Sequence, residues 1–218
     1  MPAPNKNARK ENPSGHQWSE NPCVMYERSY FVTASHLKLS RTLTLEMPPL
    51  NKINVLNGVY NLDTGILENH TPEHLVPVQL PVSHSKKARC PNWVQFLGEI
   101  LDRDCQVIIM QMIGLFMVPE TSYEKGFAFV GAGANGKSIC DEVITALIGE
   151  QNISRESLQD LVTGAFTRAS IIGKLLNIDS DLPSVRLADS SVFKKIVSGN
   201  PIQADQKYIR RFSFRPYT

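Results

Sequence analysis

Phe127-Ala128-Phe129-Val130-Gly131-Ala132-Gly133-Ala134-Asn135-Gly136-Lys137-Ser138 is the stretch on which the fold of this chain turns. Four apolar residues run straight into a turn with three glycines, and apolar residues at helical spacing follow at Val143, Ile144, Leu147 and Ile148. The expected order is a short buried strand over 127–130, a loop, then a helix. Residues 131–138 fit G-x-x-x-x-G-K-S, whose small residues let successive backbone N–H groups converge on phosphate oxygens while the helix N-terminus adds the positive end of its dipole. Gly131, Gly133, Ala134, Asn135 and Gly136 are then the phosphate cradle. Lys137 neutralises the β- and γ-phosphates and the Ser138 hydroxyl ligates Mg²⁺, so ATP and Mg²⁺ are the expected ligands.

The same glycines also fit G-x-G-x-x-G, the turn of a dinucleotide site. That site needs an acid at a strand end about 20 residues on, where this chain has Glu156 in a polar, helix-like stretch, and it gives Lys137 and Ser138 no task. A triphosphate suits the residues better. A nucleoside triphosphatase also needs a carboxylate at a neighbouring strand end, and Leu175-Leu176-Asn177-Ile178-Asp179-Ser180-Asp181 offers two, Asp179 and Asp181. A bound cation offsets their mutual repulsion; the competing reading is a solvated strand end with ordinary turn acids.

Working outward, 218 residues accommodate one α/β core with a smaller appendage. Lys and Arg number 23 against 21 Asp and Glu, a net charge of +2, so any basic surface is local. The longest apolar stretch, 107–118, is interrupted by Gln111 and is too short to span a bilayer. The first residues carry no apolar segment ahead of a cleavage site, and the expected location is cytoplasmic, with no membrane. Cys23, Cys90, Cys105 and Cys140 form no CxxC pair, which favours reduced thiols. A zinc site from His70, His74, His84 and Cys90 is disfavoured, because Pro72 and Pro77 spoil a helical platform for the first two.

Residues 1–22 are polar and read as a loosely held tail, and residues 23–50 carry short β-like runs without a motif. From Asn51 the run INVLNGVYNL, with turn chemistry at Asn57-Gly58 and Asp63-Thr64-Gly65, predicts a hairpin-like module. Trp93, Phe96, Leu97, Ile100 and Leu101, then Val107, Ile108, Met112, Leu115 and Phe116, predict two amphipathic helices explained by core packing. Beyond the glycine loop we expect a helix near 154–162 with Ser154 as N-cap and Ser157 beside it, a strand over 175–178, and a helix over 192–197 stopped by Ser198-Gly199-Asn200-Pro201.

Asn54 to Gly65, Ala88-Arg89-Cys90-Pro91 with its tryptophan-bearing helix, Gly131 to Ser138, Gly173 to Ile178 with Asp181-Leu182, and Phe193 to Gly199 followed by Ile202 and Lys207 stand in an order that resembles the phage and plasmid primase-helicases of superfamily 3, a group that includes the poxvirus primase-helicase. The resemblance spans about residues 50–218. It implies an AAA+-like P-loop α/β core preceded by a small helical domain: 1–50 unassigned, 51–120 helical domain, 121–218 P-loop domain. It implies a homo-hexamer in which the hairpin after the third motif projects basic residues toward single-stranded DNA. Asn200 stands where the family has an acid, and Ser180 separates acids that the family often has adjacent, which leaves Asp181 the favoured metal ligand. The resemblance also implies a sensor Asn and an arginine finger that residues up to Thr218 do not supply, so the chain reads as C-terminally truncated with very low turnover alone.

The residues themselves show a local basic patch at the C-terminal end: Lys194, Lys195, Lys207, Arg210, Arg211 and Arg215 against Asp205. Lys194, Lys207 and Arg210 are the expected contacts to single-stranded DNA, weak and independent of sequence; the competing reading is a solvated charged face. Tyr208 can stack on bases, whereas Phe212 and Phe214 alternate as a strand with a buried face. Two other classes compete with a helicase-type ATP hydrolase. One is a remnant that binds ATP or DNA without turnover and interferes with a full-length hexamer; the other is a P-loop kinase, for which the sequence marks no lid and no acceptor site.

Overall fold

The computed structural model describes residues 48–131, 133, 135–180 and 190–217. The polar tail over 1–22 and nearly all of the β-like runs over 23–50 lie outside them. The described chain opens with a three-stranded antiparallel meander, β1 (Lys52–Val55), β2 (Gly58–Asn61) and β3 (Ile66–Glu68), in the order β1-β2-β3. Gly58 has φ of +151°, and a Cβ there would land on the Glu68 carbonyl oxygen, so the close approach of β2 to β3 requires glycine. The second turn is held by the Asn61 side chain, whose Oδ1 accepts from the N–H groups of Asp63 and Thr64. The hairpin-like module expected from Asn51 is this meander, which opens the stretch over 51–120 that the resemblance assigns to a helical domain.

Two helices follow as expected, α1 (Pro91–Ile100) and α2 (Arg103–Phe116). Asp102 caps α2, its carboxylate accepting from Cys105 N at 2.8 Å. That bond holds the Asp102 carboxyl below its ordinary range. The buried face of α2 is Ile109, Met112 and Ile113; Val107 and Ile108, which the periodicity placed inside, are about half exposed. Core packing therefore accounts for only part of this helix.

After the glycine loop come α3 (Lys137–Ile148), β4 (Ile153–Ser154), α4 (Leu158–Thr163), β5 (Leu176–Asn177) and α5 (Ser191–Val197). β4 and β5 pair in parallel, Ile153 opposite Leu176 and Ser154 opposite Asn177. Ser154 thus lies in a strand, and the N-cap of α4 is Ser157, whose hydroxyl accepts from Asp160 N. A Ser at either position suits a cap; the parallel ladder claims the first. The hairpin β6 (Ile202–Gln206) and β7 (Ile209–Phe214) closes the chain.

The expected buried strand over 127–130 is not one. These residues belong to no regular element and pair with no strand among the described residues; Phe127 is 42% exposed, Phe129 43% and Val130 93%. Phe127 meets Phe116 edge to face, ring centroids 5.6 Å apart. Four apolar residues satisfy a buried strand and a run laid against a helix equally well, and only the neighbours decide.

One hydrophobic cluster joins Ile53, Val55 and Leu80 to Leu97, Ile109, Met112 and Ile113, and these to Ile144, Ile148, Ile153 and Leu175. A second gathers Leu161, Ile171, Ile196, Ile202, Ala204 and Phe214. Buried Asn152 stitches the first together, its Nδ2 donating to Gln79 O and Ile148 O at 2.7 Å each. Among the described residues no helix is long and apolar enough to cross a membrane.

Candidate functional site

The glycine loop leads into α3 through Gly136, the N-cap residue, with φ of +87° and ψ of −2°. That left-handed conformation favours glycine, and a Cβ would sit 2.9 Å from both Ile100 Cδ1 and Phe96 Cζ of α1. No side chain caps α3, so the N–H groups of its first turn have no partner within the helix. The Lys137 ammonium donates to Gly131 O and to Asn135 Oδ1, at 3.0 Å each, and so lies across the loop. A Cβ on Gly131 would collide with the Asn135 amide, whereas Gly133 faces open space with nothing within 4 Å. Ser138, in the first turn of α3, is exposed. Ala134 lies outside the described residues. The chemistry on offer is anion contact: one ammonium group, a helix N-terminus that no side chain caps and glycines that leave room beside it.

The acidic strand end is tied to the segment after β4. Asn177 Oδ1 accepts from Ser154 Oγ at 2.9 Å and Glu156 N at 3.0 Å, and its Nδ2 donates to Glu156 O at 2.9 Å. Asp179 Oδ2 accepts from Leu158 N, the first residue of α4, at 2.9 Å. A carboxylate at that helix start answers an orphan N–H and the helix dipole together. Asp181 lies outside the described residues. Arg155 fastens α3 from the other side, reaching Asp141 Oδ2 at 3.1 Å, Thr145 Oγ1 at 2.8 Å and Glu150 Oε1 at 3.1 Å. The Glu150 and Asp141 carboxylates raise its pKa above the ordinary value.

The histidines considered for zinc go to separate tasks. His70 Nε2 lies 2.9 Å from Val55 O, His74 Nδ1 accepts from Lys52 Nζ at 2.8 Å, and His84 stacks on Tyr60 with ring centroids 4.4 Å apart. Cys90 is the N-cap residue of α1, and Cys90, Cys105 and Cys140 are free thiols. Burial pushes the Cys140 thiol up. Among the described residues no three His, Cys, Asp or Glu side chains converge.

In the hairpin, Gln206 pairs with Ile209, which puts Lys207 and Tyr208 in the turn. Tyr208 has φ of +66° and is fully exposed; Lys207 and Arg210 are exposed beside it. Arg211 is engaged by Asp205 through two bonds, Nε to Oδ1 at 2.7 Å and Nη2 to Oδ2 at 2.6 Å. Arg168 bonds Gln203 O, Leu161 O and Val162 O, and Arg215 donates to Gly199 O. Phe214 is buried and Phe212 packs beside it, as their alternation indicated. Of the expected DNA contacts, Lys207 and Arg210 share the hairpin end and Lys194 stands exposed on α5.

Sequence reasoning missed Phe96 and Ile100 as neighbours of the loop, Asn177 as the tie between β5 and the segment after β4, and Arg155 as the tie from that segment to α3. Phe96 and Ile100 show only helical spacing, which any core helix has; Asn177 stood inside the strand-end run, but its three bonds depend on a segment more than 20 residues away.

Residues 27–102 match the family described as D5 N terminal like, and residues 129–218 match one described as a family of unknown function, DUF5906. The first match covers the meander and α1, and it supports a relationship to phage and plasmid replication primase-helicases. The second covers the glycine loop, the strand-end acids and the hairpin. The first hydrophobic cluster joins the two matched regions.

Proposed function

We propose that the chain is the nucleotide-binding part of a replication primase-helicase of superfamily 3, with a P-loop core that takes ATP with Mg²⁺ in the loop 131–138. The observation that carries this reading is Lys137 lying across a glycine loop in front of an uncapped helix. A polyphosphate entering there replaces the Gly131 carbonyl and the Asn135 amide as the partner of the ammonium, and receives the first N–H groups of α3. Ser138 ligates the cation together with Asp181. Asp179, occupied by the start of α4, positions that strand end and holds the attacking water's side of the site.

The basic hairpin is the second working part. Lys207 and Arg210 contact phosphates of single-stranded DNA and Tyr208 stacks on a base, which gives binding that is weak, independent of sequence and steeply dependent on salt. A homo-hexameric ring would bring six such hairpins to one channel.

Calorimetric titration with Mg·ATP tests the nucleotide site. The parent binds, and Lys137→Ala weakens affinity by at least about tenfold, since a charge-assisted contact contributes roughly 1.5–3 kcal/mol. Equal affinity in the two proteins would refute the assignment of the loop.

A further inference from the structure

We infer that Phe96 and Ile100, one helical turn apart on α1, are positioning residues for the phosphate loop, so that α1 registers whether the loop holds a nucleotide. This deepens the nucleotide-binding reading and rests on it. Gly136 is the joint between loop and helix, and the atoms nearest the place of its missing Cβ are Ile100 Cδ1 and Phe96 Cζ at 2.9 Å and Phe96 Cε2 at 3.3 Å. All belong to α1, nearly 40 residues earlier in the chain. α1 cannot drift from this post, because Leu97 between them is buried in the cluster that also holds Ile144 and Ile148 of α3.

The last turn of α1 is therefore a wall behind the joint. Phosphate binding draws the Lys137 ammonium off Gly131 O and Asn135 Oδ1 and turns the loop amides toward the ligand. Any rotation at Gly136 presses on, or withdraws from, the Phe96 ring. That ring stacks on Trp93, centroids 5.6 Å apart with an interplanar angle of 26°. Movement at the loop thus reaches an indole on the far side of Phe96. In the reverse direction, the wall restricts the conformations of the empty loop and lowers the entropy lost on binding.

The chain has two tryptophans, so Trp18→Phe leaves Trp93 as the sole indole reporter. In that protein Mg·ATP should change Trp93 emission saturably, with the midpoint found by calorimetry. Phe96→Ala should abolish the emission change and weaken Mg·ATP on the order of 5-fold to 10-fold. Phe96→Leu, which keeps a bulky apolar wall, should retain most of the affinity. Calorimetric binding with flat Trp93 emission, or with unchanged affinity in Phe96→Ala, would overturn the inference while sparing the nucleotide site. Absence of binding heat in the parent would overturn both. The emission measurement needs no substitution at Phe96, so a folding defect in Phe96→Ala does not blunt the test.

Discussion

The two hydrophobic clusters differ in how far along the chain they reach and in what stands at their edges. The first joins residues from Ile53 to Leu175 and ends at the glycine loop, whose joint is walled by α1. The second is built from Leu161 to Phe214 and carries a hairpin tied by its own register, by its Asp205–Arg211 pair and by bonds from Arg168 to Gln203 O and from Asp205 N to Ala165 O. The loop is set against the first cluster and the hairpin against the second. Substitutions far from the loop should therefore reach nucleotide binding, whereas hairpin substitutions should stay local.

The largest effect belongs to the cores themselves. Ile148→Ala and Ile171→Ala, each removing a fully buried side chain, should cost about 2–5 kcal/mol in urea denaturation. The comparison is sharpened by Mg·ATP: Ile148→Ala, on the phosphate-loop helix, should weaken binding to the folded fraction, and Ile171→Ala should not. Equal loss of affinity in both would show that the clusters act as one unit.

A smaller effect is expected at the hairpin. Tyr208→Gly relieves a left-handed backbone and should leave the denaturation midpoint at or above that of the parent, while weakening single-stranded DNA by about 1–3 kcal/mol if the ring stacks on a base. Lys207→Ala should lower affinity alike for all sequences and reduce the slope of log K against log salt by about 0.7. Neither should change Mg·ATP affinity measured without DNA; a change there would break the separation.

The smallest effect is a matter of pH. The Arg211 guanidinium holds the Asp205 carboxyl below its ordinary 3.8. A lowered carboxylate pKa stabilises the fold fully above the unfolded value, and the contribution is lost as pH falls from 3.8 through the folded value. Asp205→Asn should show a shallower loss of midpoint over that acid range than the parent, and the difference is small because the pair is exposed. A parent curve as shallow as the variant's would remove the pair from the account of the hairpin.

Much of this organisation is legible in the sequence because local chemistry writes it. The periodicity of α1 and α2, the turn at Asn61 to Gly65, the helix behind Lys137 and the Phe212–Phe214 alternation all follow from nearest neighbours. What was misread depends on distant partners. Phe127 to Val130 has the composition of a buried strand, but no strand among the described residues pairs with it, and Phe127 meets Phe116 instead. Ser154 is the expected cap, but it pairs with β5 and the cap falls to Ser157. Val107 and Ile108 have helical spacing but sit outside the face that Ile109, Met112 and Ile113 bury. At the candidate site the residue types of the loop were legible, whereas its wall, Phe96 and Ile100, was not, because one sequence does not say which helix faces which glycine.

A nucleotide engaging the loop 131–138 at the edge of the first cluster shields the amides of that loop. Amide hydrogen exchange, read by mass spectrometry with and without Mg·ATP, addresses it without any substitution. Mg·ATP should add protection in peptides covering 131–140, less in those covering 93–100, and none over 202–214 in the absence of DNA. Unchanged exchange over 131–140 at saturating Mg·ATP would contradict it.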